Sequence, residues 1–236
     1  MNRVSRQLLL AWGIAMLSCA RYLEMGNYNL SIYQDLHYKK ETVNKENMIV
    51  DLNIKDRDWD PKRPNKRVGW CAEACIQMAM GYYGVEITQK EVNKAGSPRH
   101  ADLYMDDIDE ALKNLSVHFV AWDYNIRNLD EFIVWIKSML ERGYPVISGV
   151  KIYPDKYRRW FLDHFVLVVG YSKEGLLINT NIKGQQLISY SQLKSYNRGF
   201  AIKNRHDRYY ARAIIGLSKK STSVSATDRL SGFTIE

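Results

Sequence analysis

The chain has 236 residues, 46% hydrophobic and 25% charged, with six Trp, sixteen Tyr and six Phe. That is enough apolar material to bury a core without disulfide staples, and it fits one domain with extensions. The formal charge is +8 and the pI about 9.2, which suits anionic surroundings, but the basic residues are spread along the chain and form no nucleic-acid motif, so no nucleic-acid partner is expected.

Residues 1–20 read as an export signal. Arg3 and Arg6 make a positive start, and Leu8 to Leu17 form an apolar run too short for an ordinary membrane span. Two outcomes stay open. Small residues at Ser18 and Ala20 suit cleavage after Ala20, whereas Leu17-Ser18-Cys19 resembles a bacterial lipobox in which Cys19 is lipidated and anchors the mature chain to a membrane. Either cleavage lowers the formal charge by two, from +8 to +6. The expected location is outside the cytoplasm, as a periplasmic or cell-envelope lipoprotein or a secreted protein. Residues 21–60 are polar with little periodicity and read as an N-terminal arm or linker; residues 61–218 are the expected catalytic domain, and 219–236 a flexible tail.

From Cys71 to Tyr83 the sequence is apolar almost all round, broken by Glu73 and Gln77 on one stripe. That describes a helix buried on most sides, ended by Gly84. Thr88 to Glu91 is a capping box opening a short helix to about Ala95. Met105 to Leu115 and Leu129 to Arg142 are amphipathic helices, the second capped by Asn128. Strands are expected at 145–151, 164–171, 176–179, 186–190 and 210–217, with a hairpin loop at 172–175. Helices first and antiparallel strands second make an α+β domain with segregated layers.

Three cysteines are present, Cys19, Cys71 and Cys75. None has zinc or redox spacing, so no metal or cofactor is expected, and Cys71 and Cys75 should be free thiols. Cys71 stands at the first turn of the buried helix. There the unpaired N–H groups and the helix dipole favour a thiolate, which makes it a candidate nucleophile. His164 opens the most apolar strand, where its imidazole can face that helix end, take the thiol proton and hold a thiolate–imidazolium pair. A third group should orient the ring. Asn179, at the end of the neighbouring strand, is the first candidate and Asn181 the second; either can instead be a turn residue.

Gly69-Trp70-Cys71-Ala72-Glu73-Ala74-Cys75-Ile76-Gln77-Met78, then Tyr82-Tyr83-Gly84, resembles the active-site helix of bacterial papain-like cysteine proteases. Two branches match, the double-glycine peptidases that trim bacteriocin leaders and the effector-type proteases of plant pathogens. Glu141 to Ile147, Asp163 to Tyr171 and Ile188 to Leu193 resemble the family's helix-to-strand passage, histidine strand and final strand with short helix. The resemblance spans about residues 65–217. It implies a papain-like fold, a peptide or protein substrate and an amide hydrolase acting through a thioester on Cys71, His164 and an Asn. It departs in two places. The family's oxyanion-binding Gln is replaced by Asn65, six residues before Cys71, and the acidic residue and Pro after the histidine hairpin are replaced by Asn179-Thr180-Asn181. Glu73 stands where small or aromatic residues are common, which points to altered substrate choice. Other acyl transfers on the same machinery (deamidation, transglutamination, cell-wall amide cleavage) and a catalytically weak binding module are the alternatives.

Overall fold

The computed structural model describes residues 43–58, 70–99, 101–153, 162–180, 184–195 and 199–218. Among them the chain forms β1 (Met48–Asp51), α1 (Cys71–Tyr82), α2 (Gln89–Gly96), α3 (Met105–Asn114), β2 (Val117–Ala121), α4 (Leu129–Glu141) and β3 (Val146–Tyr153). There follow β4 (Leu162–Ser172), β5 (Gly175–Asn179), β6 (Gln186–Ser189), α5 (Tyr190–Leu193), β7 (Gly199–Ala201) and β8 (Ala211–Leu217). The strands make one antiparallel sheet in the order β2-β8-β3-β4-β5-β6, with β1 added to β4 and β7 to β3. This is the α+β, papain-like arrangement expected from helices followed by strands.

Each helix boundary has a local cause. The Thr88 hydroxyl accepts from the Glu91 N–H while the Glu91 carboxylate accepts from the Thr88 N–H, so α2 opens on a complete capping box. The Asn128 side-chain oxygen accepts from the N–H groups of Asp130 and Glu131 at the start of α4. Past the end of α1, Gly84 takes φ +79°, a left-handed value at no steric cost.

The sheet has helices on both faces. Helices α1, α2 and α3 bury Ala72, Ile76, Val92, Ile108 and Leu112 against Ile147, Leu167, Val169 and Leu177. Helix α4, with Leu193 of α5, covers Val150, Val166, Val168 and Ile178 on the other face. This explains why α1 is apolar all round: it lies between the sheet and two further helices. Asp109 of α3 and Arg212 of β8 close that layer with a two-pronged ion pair, at 2.6 and 2.8 Å.

Three strands were not visible in the sequence pattern; the shortest, Gly199–Ala201, pairs with β3, and the other two lie at Met48–Asp51 and Val117–Ala121. Met48–Asp51, inside the segment read as an arm or linker, pairs with the far end of β4. It approaches so closely that a Cβ on Gly170 would lie 2.3 Å from the Val50 carbonyl oxygen. Val117–Ala121 pairs with β8 at the sheet edge, with His118 exposed on it and bonded through Nε2 to the Ser218 hydroxyl at 2.7 Å. Both strands are short and one-sided, and neither alternates clearly enough to read as a strand.

One irregularity decides the site. Near the hairpin, Tyr171 pairs with Leu176 and Gly170 with Leu177, but Val168 then pairs with Ile178 and Leu167 with Asn179. The residue between Val168 and Gly170 is extra, a β-bulge in β4. Without it the register would set Asn179 opposite Val168. The bulge sets Asn179 opposite Leu167, on the α1 face, and so leaves His164 on the opposite face, the one that Thr180 takes by alternation from Asn179.

Candidate active site

Cys71 is the first helical residue of α1, and its predecessor Trp70 provides no side-chain cap. Trp70 is instead held by its indole N–H, which donates to the Ala101 carbonyl at 2.8 Å. The backbone N–H groups of Phe165 and of Ala72 act on the Cys71 thiol and work to lower it. The first of these is the central fact of the site. Phe165 follows His164 in β4, so the thiol at the helix end sits against the strand at the residue next to the imidazole.

The helix end favours a thiolate, but burial outweighs it. Cys71 is 8% exposed. Loss of water, then the Glu73 carboxyl, then Asp102, push the thiol up to about 12, against the lowering effect of the two N–H donors. Cys75, one turn further on, is buried in the core between α1 and the sheet; burial, then its neighbour Cys71, raise it well above the ordinary thiol value. Both thiols are free.

His164 is 2% exposed, and burial alone lowers it to about 3. Its ring lies 5.9 Å from that of Phe200, centre to centre. Nε2 is 2.8 Å from the Thr180 hydroxyl oxygen. Nδ1 is buried with no hydrogen-bond partner among the described residues. Thiol and imidazole are thus each held neutral by the same cause. The thiolate–imidazolium pair expected from the helix dipole gives way to a neutral resting pair, because a dipole effect of about 0.3–1 kcal/mol is small beside the desolvation of a buried charge.

The residue meeting His164 is Thr180, not Asn179. The Asn179 amide donates to the Ile54 carbonyl at 2.9 Å and contacts the Met78 sulfur at 3.7 Å, and its oxygen accepts from Gln185 at 2.8 Å. It is a buried tie between β5, α1 and the segment after β1. The bulge supplies the reason for the difference, and Gly170 inside a β-branched run was the available signal for it. Asn65, Asn181 and Cys19 lie outside the described residues, as does the whole of the proposed export signal.

Glu73, expected near the cleft, is fully buried. Its Oε1 accepts from the Asn93 amide at 2.8 Å and the Leu103 N–H at 3.0 Å, while Oε2 is buried without a partner among the described residues. Desolvation is the main cause of its rise to about 7, opposed by the Asn93 bond and assisted by Asp102. With Trp70, it clamps residues 101–103 onto the end of α1. No group of three His, Cys, Asp or Glu among the described residues is arranged to hold a metal ion. No described helix is long and apolar enough to cross a membrane.

The model of the Peptidase_C39 like family matches residues 50–219. The chain belongs to that family. Among solved structures it is similar to a chain described as a C39-like peptidase from Bacillus anthracis, at 13% identity and TM-score 0.49, covering 73% of this chain and 99% of that one. It is also similar to the peptidase domain of Streptococcus ComA, described as a bi-functional ABC transporter involved in a quorum-sensing pathway. There the identity is 15% and the TM-score 0.47, covering 68% of this chain and 98% of that one. No curated protein sequence matches the chain. For this Peptidase_C39 like protein the family makes cysteine peptidase the coarse functional class, with peptides or proteins as substrates.

Proposed function

We propose that this protein cleaves a peptide bond through a thioester on Cys71, with His164 as base and then acid. The observation that carries this reading is the free, buried Cys71 thiol at the start of α1, under the influence of the Phe165 N–H, with the preceding residue His164 keeping Nδ1 buried and without a hydrogen-bond partner among the described residues. In the first step the sulfur attacks the scissile carbonyl carbon, an S–C bond forms, and the thiol proton passes to Nδ1. The tetrahedral intermediate collapses, the C–N bond breaks, and Nδ1 returns the proton to the leaving amine. Water then attacks the thioester, giving its proton to Nδ1; the C–S bond breaks, Nδ1 returns the proton to the sulfur, and the acid leaves. The Cys71 backbone N–H, unpaired by its position at the helix start, and the Asn65 amide are the proposed oxyanion donors.

Because the resting pair is neutral, proton transfer accompanies attack instead of preceding it. The same burial favours the second reading, a papain-like binding module with weak turnover. Digestion of a peptide library followed by mass spectrometry separates the two. New termini produced by the parent and absent with Cys71→Ala support the peptidase; conversion of Gln to Glu or cross-linked products would redirect the reading to deamidation or transfer. No turnover by the parent, together with retained binding of a peptide near Cys71, would replace it with the binding module.

The proposed catalytic body begins before the boundary at residue 61, since β1 is part of the sheet. Export with cleavage after Ala20, or lipidation at Cys19 with membrane anchoring, remains part of the proposal. It is supported by the order of charge, apolar run and small residues at the start of the sequence. Intact mass of the protein from its native host tests it: loss of residues 1–20 selects cleavage, loss of 1–18 with added lipid mass selects the lipoprotein, and a full-length cytoplasmic chain excludes both.

A further inference from the structure

We infer that Thr180 is the positioning residue for His164, a neutral hydroxyl that holds the imidazole with its proton on Nε2 and its lone pair on Nδ1. The inference rests on the proposed role of His164 as base. Nε2 and the Thr180 oxygen are 2.8 Å apart in a setting where both residues are buried, so the contact gives the ring nitrogen its partner. A hydroxyl can donate or accept, and the surroundings of Nδ1 decide between the two. Nδ1 has no acceptor among the described residues. An orphaned buried N–H costs more, and occurs less often, than an orphaned lone pair. The proton therefore belongs on Nε2, which donates to Thr180, and Nδ1 is left as the base. This is the tautomer the thioester route requires.

The bulge is what brings the ring to the face of the hydroxyl. Asn179 shares its face with α1 and spends its amide on Ile54 and Gln185, so only Thr180 among the described residues of β5 and its end reaches the ring. Unlike a carboxylate, a hydroxyl brings no charge to balance an imidazolium. Thr180 thus sets direction and tautomer and leaves the charge developed on His164 during attack to other groups.

The test uses the full chain, iodoacetamide as the probe and nitrogen-15-labelled histidine. Alkylation of Cys71, located by peptide mapping, should fall at least about tenfold in His164→Ala; an unchanged rate there removes the base role on which the inference rests. Thr180→Val, which keeps the shape and removes the hydroxyl, should lower the rate about tenfold, and Thr180→Ser should restore it to within about threefold. The nitrogen shifts of His164 should report the Nε2–H tautomer in the parent and Thr180→Ser, and a mixture in Thr180→Val. A purely structural role for Thr180 would not move the tautomer. If Thr180→Val keeps both the parental rate and the Nε2–H tautomer while His164→Ala is slow, the Thr180 role is wrong and the base role stands. Should Thr180→Val fail to fold, the parent alone decides: an Nδ1–H tautomer overturns the inference.

Discussion

Two buried polar clusters flank the first turn of α1, and they use their loose atoms differently. At Glu73 the carboxyl is pinned by Asn93 and Leu103, and its remaining oxygen faces protein with nothing to bind. At His164 the ring is pinned by Thr180, and its remaining nitrogen, without a partner among the described residues, belongs to the residue before Phe165, whose N–H acts on the Cys71 thiol. Both groups lose charge to burial. In the clamp, neutrality accompanies the hold on a loop; at the site, it is the starting point of the proposed reaction. An unpartnered buried polar atom therefore acquires functional meaning only from what lies next to it.

The largest difference between the clusters should appear on truncating their sulfurs. Cys71→Ala should abolish peptide hydrolysis while leaving the melting curve close to parental, since the change is small and lies at a helix end. Cys75→Ala, one turn into the core, should keep turnover and lose about 1 kcal/mol of stability from the small cavity. Dead Cys75→Ala beside active Cys71→Ala would reverse the assignment.

The resting charge state comes next. With the thiol pushed up to about 12 and the imidazole down to about 3, alkylation of Cys71 by iodoacetamide should climb through neutral and alkaline pH without levelling off. A rate that is flat from mildly acidic to neutral pH would mean a preformed thiolate–imidazolium pair and would erase this part of the comparison.

The clusters should also pull stability in opposite directions with pH. Glu73 is raised in the fold from 4.5 to about 7. The fold prefers its protonated form, so this contribution is full below about pH 4.5 and is lost as pH rises through 7. It amounts to at most about 3 kcal/mol. His164 is lowered from 6.5 to about 3. The unfolded chain takes up its proton first, so stability is lost as pH falls from about 6.5 toward 3. Urea unfolding between pH 5 and 8 should show Glu73→Gln gaining on the parent as pH rises toward 7 and holding that gain above it. His164→Gln should gain on it toward pH 5. The same slope in parent and Glu73→Gln would mean that the carboxyl is not desolvated as its burial implies.

The smallest expected effect sharpens the contrast between neighbours in β5 and just beyond it. Asn179→Ala leaves the Ile54 carbonyl and Gln185 amide without their partner and should cost about 1–3 kcal/mol. Folded Asn179→Ala should still alkylate at nearly the parental rate. A drop matching that of His164→Ala would return the orienting role to Asn179.

The sequence by itself determined a good deal: the nucleophile candidate, the histidine strand, the capped helices at Thr88 and Asn128, and helices before strands. All of these rest on local rules, namely periodicity, capping chemistry and the polarity of a helix end. The family was legible for the same reason, in the run from Gly69 to Met78. Three matters belonged to the tertiary structure alone. Strand β1 was hidden because pairing with β4, not alternation, makes it a strand. The charge state of Cys71 and His164 was hidden because desolvation depends on everything packed around a group, which here reverses the helix dipole's preference. The choice of Thr180 over Asn179 was hidden because one extra residue in β4 exchanges the faces of the residues before it, His164 among them, relative to β5, and side chains in a strand alternate with every residue.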